Sequence, residues 1–319
     1  MKLALIGDIH LFTLRVHPKR LLSRRVMAQS NLWLNRRHRF NHALLPDLVE
    51  RVKGLSPEAV LYSGDVTTSS LESEFEEVLK VVGPLEEAFP GAGVLVPGNH
   101  DRYTFKSRRV RRIDEILSAV VPPTFPHVRP LKPGWTLLAL DSAIPNRFFS
   151  RGALGKKQYD AAVETIRAVP EDEGLVVLCH YPCSLPPRVP SAWSHDLKEA
   201  NALRRELVAC PGRVVYLHGH IHKPWHTLAD PAVAAGDETV KGPARFAAGT
   251  AFECINAGSP CMTSEKYPLG QGFWEVTLPD DPAALLEALH HVPVAPDGTD
   301  PPAGGASGGG VAWRVGPAL

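Results

Sequence analysis

Short apolar runs alternate with amphipathic segments along most of the chain. The apolar runs predict buried strands at residues 2–7, 59–62, 94–96, 135–140, 175–178 and 214–217. Apolar positions at helical spacing predict helices at about 39–53, 75–82, 156–168 and 195–208. This alternation indicates a largely parallel sheet covered by helices, and later runs at 252–257 and 272–278 indicate strands of a second sheet.

Polar, metal-competent blocks follow five of these predicted strands. They are Gly7-Asp8-Ile9-His10, Gly64-Asp65, Gly98-Asn99-His100-Asp101, Cys179-His180 and Gly219-His220-Ile221-His222. In extended chain, residues i and i+2 point to the same side, so the paired ligands of the first and last blocks can face one point. Ligands of α/β proteins collect at the carboxyl ends of parallel strands, so we expect these blocks to converge.

The five blocks together offer carboxylate, carboxamide and imidazole groups. This mixture of oxygen and nitrogen donors suits Mn, Fe, Zn or Ni. It also exceeds the number of ligands that one tetrahedral ion needs, so two ions sharing a carboxylate is the simplest interpretation. Each block alone is explained by an ordinary turn or a surface histidine. The occurrence of all five in order, each at a strand end, favours a metal site.

The ordered set resembles the calcineurin-like metallophosphoesterase superfamily, and its pattern is most similar to bacterial class III cyclic-nucleotide phosphodiesterases. The resemblance covers roughly residues 1–280 and implies an α/β four-layer sandwich of two mixed β-sheets flanked by α-helices. It implies two divalent or trivalent metal ions and a hydroxide that bridges them as nucleophile. The expected activity is hydrolysis of small phosphate esters, with phosphodiesters, including cyclic nucleotides, favoured.

The same resemblance assigns a role to each matching residue. Asp8, His10 and His222 would hold the first ion. Asn99, His180 and His220 would hold the second, and Asp65 would bridge both. His100 would be the catalytic histidine near the leaving group, oriented by Asp101.

Residues beside these blocks bear on the branch of the family. Protein Ser/Thr phosphatases usually carry Asp-Arg-Gly and Gly-Asn-His-Glu, whereas this chain has Gly64-Asp65-Val66 and ends its third block in Asp101. Class III enzymes often have His-His-Pro-Pro where this chain reads His180-Tyr181-Pro182-Cys183. A phosphomonoesterase and a nucleotide pyrophosphatase therefore stay open as alternatives. A nuclease or a metal-free scaffold is disfavoured, because net charge is low and every ligand position is filled.

Two basic segments follow the first and third blocks. The segment at 11–39 contains no acidic residue from 11 to 37, and its arginines and lysines alternate with apolar residues. It predicts a cap-like insertion with a basic rim that attracts phosphate esters, with a solvated face or a membrane-surface helix as alternatives. Arg102 and His226 are candidates for substrate binding, and Trp193 is expected to be a packing residue.

Composition bears on the class of protein, on its partners and on its location in the cell. The chain has 319 residues, is 44% hydrophobic and 22% charged, and carries a formal net charge of +1. These values are typical of a globular protein without an overall field that favours nucleic acid. No apolar stretch reaches the roughly 18 residues of a membrane span, and the five cysteines show no framework spacing. We expect a cytoplasmic protein whose residues 281–319 form a C-terminal helix and a Pro/Gly-rich tail.

Overall fold

The computed structural model describes residues 1–13, 39–145, 149–185, 193–229, 244–245, 252–264, 270–282, 286 and 288–292. The strands are β1 (Lys2–Ile6), β2 (Ala59–Tyr62), β3 (Gly93–Leu95), β4 (His127–Lys132), β5 (Trp135–Leu140), β6 (Gly174–Cys179), β7 (Ser184–Leu185), β8 (Arg213–His218), β9 (Trp225–Ala229), β10 (Ala244–Arg245), β11 (Phe252–Asn256), β12 (Phe273–Thr277) and β13 (Ala288–Val292). The α-helices are α1 (Leu45–Leu55), α2 (Glu72–Ala88), α3 (Phe105–Arg109), α4 (Arg112–Ile116), α5 (Lys156–Arg167) and α6 (Ala200–Val208), and 3-10 turns occupy His42–Leu44 and Trp193–His195.

Two mixed sheets form the centre of the molecule. The first has the order β13-β12-β1-β2-β3, and the second has the order β4-β5-β6-β8-β11-β9. In the first sheet β1, β2, β3 and the edge strand β13 run in the same direction, while β12, which lies between β13 and β1, is antiparallel to both of its neighbours. In the second, β5, β6, β8 and β11 are parallel, and the antiparallel strands β4 and β9 lie at the edges.

Side-chain alternation along the strands explains why the sheets stack. Leu3 and Leu5 pack in a core that the two sheets share, whereas Ala4 and Ile6 pack in the core on the other face of β1. Successive residues of a strand point to opposite faces, so a strand buried on both faces must be apolar throughout. This is the reason that the continuous apolar runs in the sequence are central strands.

Helices cover the two outer faces. Apolar side chains of α1 and α2 pack on the first sheet, and those of α5 and α6 pack on the second. The layers are therefore helix, sheet, sheet and helix, which confirms the expected four-layer α/β sandwich. Among the described residues, no helix is both long and apolar enough to cross a bilayer.

The two late strands predicted as one second sheet lie in different sheets. β11 pairs parallel with β8, whereas β12 pairs antiparallel with β1. An apolar run predicts that a segment is a strand, but its partner is chosen by contacts between residues far apart in the chain. The sequence pattern therefore could not allocate these two strands.

The helix predicted after residue 280 is wrong for residues 288–292. These residues form β13, which pairs antiparallel with β12, so the first sheet extends beyond the predicted domain boundary. A strand here satisfies the backbone groups on the open edge of β12, which an isolated helix would leave unpaired. The tail from residue 293 onwards, and the basic segment 11–39 except for residues 11–13 and 39, lie outside the described residues.

Candidate metal centre

The polar blocks at the ends of β1, β2, β3, β6 and β8 meet at one edge of the two stacked sheets. Three groups of side chains each bring possible ligand atoms within 4.8 Å of one another. They are Asp8 with His10 and His222, His10 with Asp65 and His100, and Asp65 with His180 and His220. His10 and Asp65 each belong to two of these groups, so the three groups form one continuous cluster.

Several possible ligand atoms of the cluster lie within about 3.5 Å of one another. Nε2 of His10 lies 2.9 Å from Nε2 of His222, which in turn lies 3.3 Å from Oδ2 of Asp8. On the other side, Nε2 of His180 lies 3.3 Å from Oδ1 of Asn99 and 3.4 Å from Oδ2 of Asp65. Every sequence-predicted metal ligand therefore lies in this one cluster.

The carboxylate of Asp8 tests whether the cluster fits a cation. Its side chain is fully buried, and within the described residues neither oxygen has a hydrogen-bond partner of good geometry. A buried carboxylate without well-aligned donors is costly, because it loses more hydrogen bonds to water than it gains. Cations placed among these oxygen and nitrogen atoms would remove that cost, so the residues fit a metal centre.

Backbone carbonyls orient three of the imidazoles. Nδ1 of His180 lies 2.8 Å from the carbonyl oxygen of Ser63, and Nδ1 of His100 lies 2.6 Å from that of Thr68. Nε2 of His220 lies 2.9 Å from the carbonyl oxygen of His195. A carbonyl can only accept, so these ring nitrogens carry the hydrogen, and the second nitrogen of each ring faces the cluster; those of His180 and His220 are placed to bind a metal.

The charged groups of the cluster shift one another's pKa values. Burial raises the pKa of Asp8 well above its ordinary value, against the opposing effect of His180. Burial also acts to raise the pKa of Asp65, but His180, His100 and His10 outweigh it and hold that pKa well below the usual range. Asp65 is therefore the carboxylate whose surroundings most favour the charged form that binds a cation.

Three site residues adopt a left-handed backbone conformation. The φ angles are 51° at His10, 51° at Asp65 and 71° at His220. Side chains other than glycine rarely occupy this region, and such strain persists only where the surroundings enforce it. The sharp turn after each strand is what directs these side chains into the cluster.

Gly98 allows the third block to approach Asp65. A Cβ atom at this position would overlap with both Oδ1 and the backbone nitrogen of Asp65.

We expect Gly98→Ala to cost about 1–3 kcal/mol of unfolding free energy and to lower metal-dependent activity, because Asp65 must move. Chemical denaturation and kinetics would measure both. As a control, a Cβ at Gly83 in α2 would meet no atom within 4 Å, so Gly83→Ala should add about 0.5–1 kcal/mol and leave activity unchanged.

Asp101 does not orient His100 in the way that the sequence predicted. Its carboxylate accepts hydrogen bonds from the backbone and hydroxyl of Thr67 and from the backbone of Gly98, whereas the His100 ring is held by Thr68. Burial raises the pKa of Asp101 to about 7, with a further increase from the charge of Asp65. Asp101 ties the loop after β2 to the loop after β3, so its influence on His100 is indirect.

The two candidate substrate-binding residues lie elsewhere. The guanidinium of Arg102 forms ion pairs at 3.0 Å with Asp114 and Asp141, and Nε2 of His226 lies 2.8 Å from Oε2 of Glu253. Neither residue lines the cavity of about 220 Å³ beside the cluster. That cavity is lined by Asp65, Asn99, His100, Ser150, Pro182, Leu185, His195, Asp196, His220, Ile221 and His222.

Several contributors to the site were missed in the sequence. Thr67 and Thr68 follow the second block after Val66, and their closeness to it in the sequence was the only signal for a supporting role. His195 and Asp196 reach the cavity from a loop that carries no motif. Main-chain oxygens such as that of Ser63 could not be found at all, because every residue has one.

The comparisons with known proteins agree with this geometry. Residues 1–224 match the calcineurin-like phosphoesterase family. The chain belongs to this family. It is therefore a metallophosphoesterase, a hydrolase of phosphate esters from a family whose members depend on dinuclear metal centres.

Two curated relatives and one solved structure are similar to this calcineurin-like phosphoesterase. A 3′,5′-cyclic adenosine monophosphate phosphodiesterase from Haemophilus influenzae is 27% identical over 234 residues, which span 72% of this chain and 73% of the relative. A probable cyclic nucleotide phosphodiesterase from Rhodococcus erythropolis is 26% identical over 53% of this chain and 52% of its own length, so the chain spans about half of that relative. A dimetal phosphatase from Danio rerio aligns with 86% of this chain and 91% of its own, with a TM-score of 0.53 at 13% identity, which shows a likeness of fold.

Proposed function

We propose that this phosphoesterase hydrolyses phosphodiesters, cyclic nucleotides among them, at a two-metal centre arranged around Asp65. The observation that carries the proposal is the position of Asp65 between His10 on one side and His180 with His220 on the other, in two separate groups of ligand atoms. A carboxylate has two oxygens and can bridge two cations, whereas an imidazole with one nitrogen occupied by a carbonyl offers a single ligand atom. The cluster therefore suits two ions better than one.

Each ion would have its own set of protein ligands. Asp8, His10 and His222 would hold the first ion. Asn99, His180 and His220 would hold the second, and Asp65 would contact both. Two bound ions supply an activated water and neutralise the charge that builds on the phosphoryl group. The donor set favours Mn, Fe, Zn or Ni over softer metals.

His100 would assist the departure of the leaving group. Its Nδ1 is held by the carbonyl of Thr68, so Nε2 is the ring atom available to a substrate in the cavity. When the ring is protonated, Nε2 can give a proton to the alkoxide that leaves. Its position beside Asp65 and His10 supports this role.

Three observations support a diester over other phosphate esters. Both curated relatives carry names that specify cyclic nucleotide phosphodiesterases. The Asp-Arg-Gly sequence of protein phosphatases is replaced by Asp65-Val66-Thr67. The cavity wall also includes uncharged side chains, Pro182 and Leu185, that suit the second ester group of a diester.

The five cysteines are free, which supports the reducing, cytoplasmic setting expected from the sequence.

Metal binding should stabilise the folded protein. At an ion concentration of about 100 times the dissociation constant, we expect a gain of about 2.7 kcal/mol, or a rise in Tm of about 4 °C for a chain of 319 residues. Thermal denaturation of the metal-stripped protein with and without Mn²⁺ measures this. Asp8→Asn should lose most of the increase. The exposed Asp160→Asn variant is the control, and an equal increase in all three proteins would contradict the site.

Hydrolysis of two chromogenic esters tests the proposed function. The metal-stripped protein is assayed with bis-p-nitrophenyl phosphate and with p-nitrophenyl phosphate after adding back Mn, Ni, Zn or Fe singly. Metal-dependent cleavage of the diester supports the proposal. Cleavage of the monoester alone would identify a phosphomonoesterase, and inactivity with every metal would favour a non-catalytic scaffold.

A further inference from the structure

One wall of the metal cavity is formed by two loop segments that pair with each other. The backbone nitrogen of Ser150 donates to the carbonyl of Ser194 at 2.8 Å, and that of Gly152 donates to the carbonyl of Asp196 at 3.2 Å. The hydroxyl of Tyr181 donates to the carbonyl of Ser150. Because the His195 carbonyl also accepts from the ring of His220, this wall is fixed to the proposed metal ligands.

An aromatic pair lies exposed beside this wall. The rings of Phe149 and Trp193 meet edge to face with centroids 5.1 Å apart, yet these residues are 44% and 53% exposed. The guanidinium carbon of Arg151 lies 4.5 Å from the centre of the Trp193 ring. Trp193 is therefore not the packing residue that the sequence predicted. Large exposed aromatic side chains next to a cavity are typical of surfaces that bind planar ligands.

Asp196 lies in the same wall and is short of partners. The residue is only 6% exposed and lines the cavity, and its Oδ2 atom is buried without a hydrogen-bond partner among the described residues. Burial raises the pKa of Asp196 to about 6, against the opposing charge of Arg151. A buried carboxyl oxygen without a donor is costly, and a ligand hydroxyl in the cavity would supply that donor.

We propose that Phe149, Trp193 and Asp196 form a recognition subsite for the nucleoside part of a phosphodiester. The base stacks on the aromatic pair, and a hydroxyl of the sugar donates a hydrogen bond to Asp196. In a nucleoside phosphodiester the phosphate, the sugar hydroxyl and the planar base follow one another. This order matches that of the metal cluster, Asp196 and the exposed aromatic pair. This inference rests on the proposed function and specifies its substrate class.

Two esters with the same leaving group test the subsite. Thymidine 5′-(p-nitrophenyl phosphate) and methyl p-nitrophenyl phosphate both release p-nitrophenol, but only the first carries a nucleoside. In the metal-loaded protein, Trp193→Ala should lower kcat/KM for the thymidine ester roughly 10-fold or more, the usual effect of losing one base-stacking contact. The methyl ester should change less than about twofold by the same reasoning, since it has no base to stack. Phe105→Ala, which removes an aromatic residue that is 63% exposed on α3, should leave both esters unchanged.

Asp196→Ala provides a second, independent measurement. It should lower kcat/KM for the thymidine ester but have no effect on its 3′-deoxy analogue, which lacks the hydroxyl. Equal losses on the thymidine and methyl esters, or no loss in either variant, would overturn the subsite while leaving the phosphodiesterase intact. If the wild-type protein cleaves neither ester, the proposed function fails. In that case, calorimetric binding of thymidine 5′-phosphate tests the subsite without catalysis. Equal affinity in wild type and Trp193→Ala would reject the subsite.

Discussion

Replacement of Asp65 with alanine should abolish hydrolysis by removing the one side chain that contacts both proposed ions. Asp65 lies 3.4 Å from Nε2 of His180 and 3.7 Å from Nε2 of His10, so it connects the two halves of the cluster. Loss of a residue that merely supports a metal ligand commonly costs 10–100-fold, so loss of the bridging ligand should lower kcat by more than about 100-fold. Steady-state kinetics at saturating metal would measure this.

Metal analysis would separate a catalytic loss from a folding defect. The Asp65→Ala protein should bind fewer than two ions per chain by mass spectrometry of the metals and keep the circular dichroism of the wild type. Asp160→Asn, which changes an exposed carboxylate on α5, is the control and should keep both ions and full activity. Wild-type turnover by Asp65→Ala would mean that the two-metal proposal is incorrect.

Replacement of His100 with asparagine should slow the reaction while leaving the metal content unchanged. A positioned general acid typically contributes 10²–10⁴-fold, and this contribution matters most when the leaving alkoxide is strongly basic. We therefore expect a loss of about 100-fold or more for alkyl diesters and a much smaller loss for p-nitrophenyl esters, since p-nitrophenolate leaves without a proton. A series of esters with leaving groups of increasing basicity would measure the difference.

The backbone contacts of His100 make the His100→Asn variant informative. The backbone nitrogen of His100 donates to Oδ1 of Asp65 at 2.7 Å, and that contact survives in the variant because it does not involve the side chain. His127→Asn, at the start of the edge strand β4, is the matched control. A loss of metal in His100→Asn, or the same rate reduction for every leaving group, would show that His100 acts as a ligand instead of a proton donor.

The tyrosine at position 181, where class III enzymes often have histidine, has a structural consequence. Class III relatives often have a second histidine at this position, whereas here a fully buried tyrosine places its ring centre 4.3 Å from that of His220. Its hydroxyl reaches across to Ser150, and its ring occupies the space that a Cβ at Gly152 would need. Tyr181 therefore supports both a proposed ligand and the wall that carries the proposed nucleoside subsite.

The ligand cluster could be predicted because its members are close to strands in the sequence. Asp8, Asp65 and His180 each lie within three residues of the end of a strand, and parallel strands end at one edge of a sheet. Their convergence follows from local pattern and general topology. The roles of Arg102 and His226 could not be predicted in this way, because Asp141 and Glu253, which pair with them, are distant in sequence.

The sequence by itself determined the layered α/β architecture, the central strands and the side chains that form the proposed metal cluster. These features depend on short-range periodicity and on residues placed where strands end. Only the tertiary structure decided that β11 and β12 belong to different sheets, that β13 extends the first sheet, and that Asp101 supports a loop. The exposed aromatic pair and Asp196 also became visible only there. Such features arise from pairings between segments far apart in the chain, and no local pattern of residues encodes them.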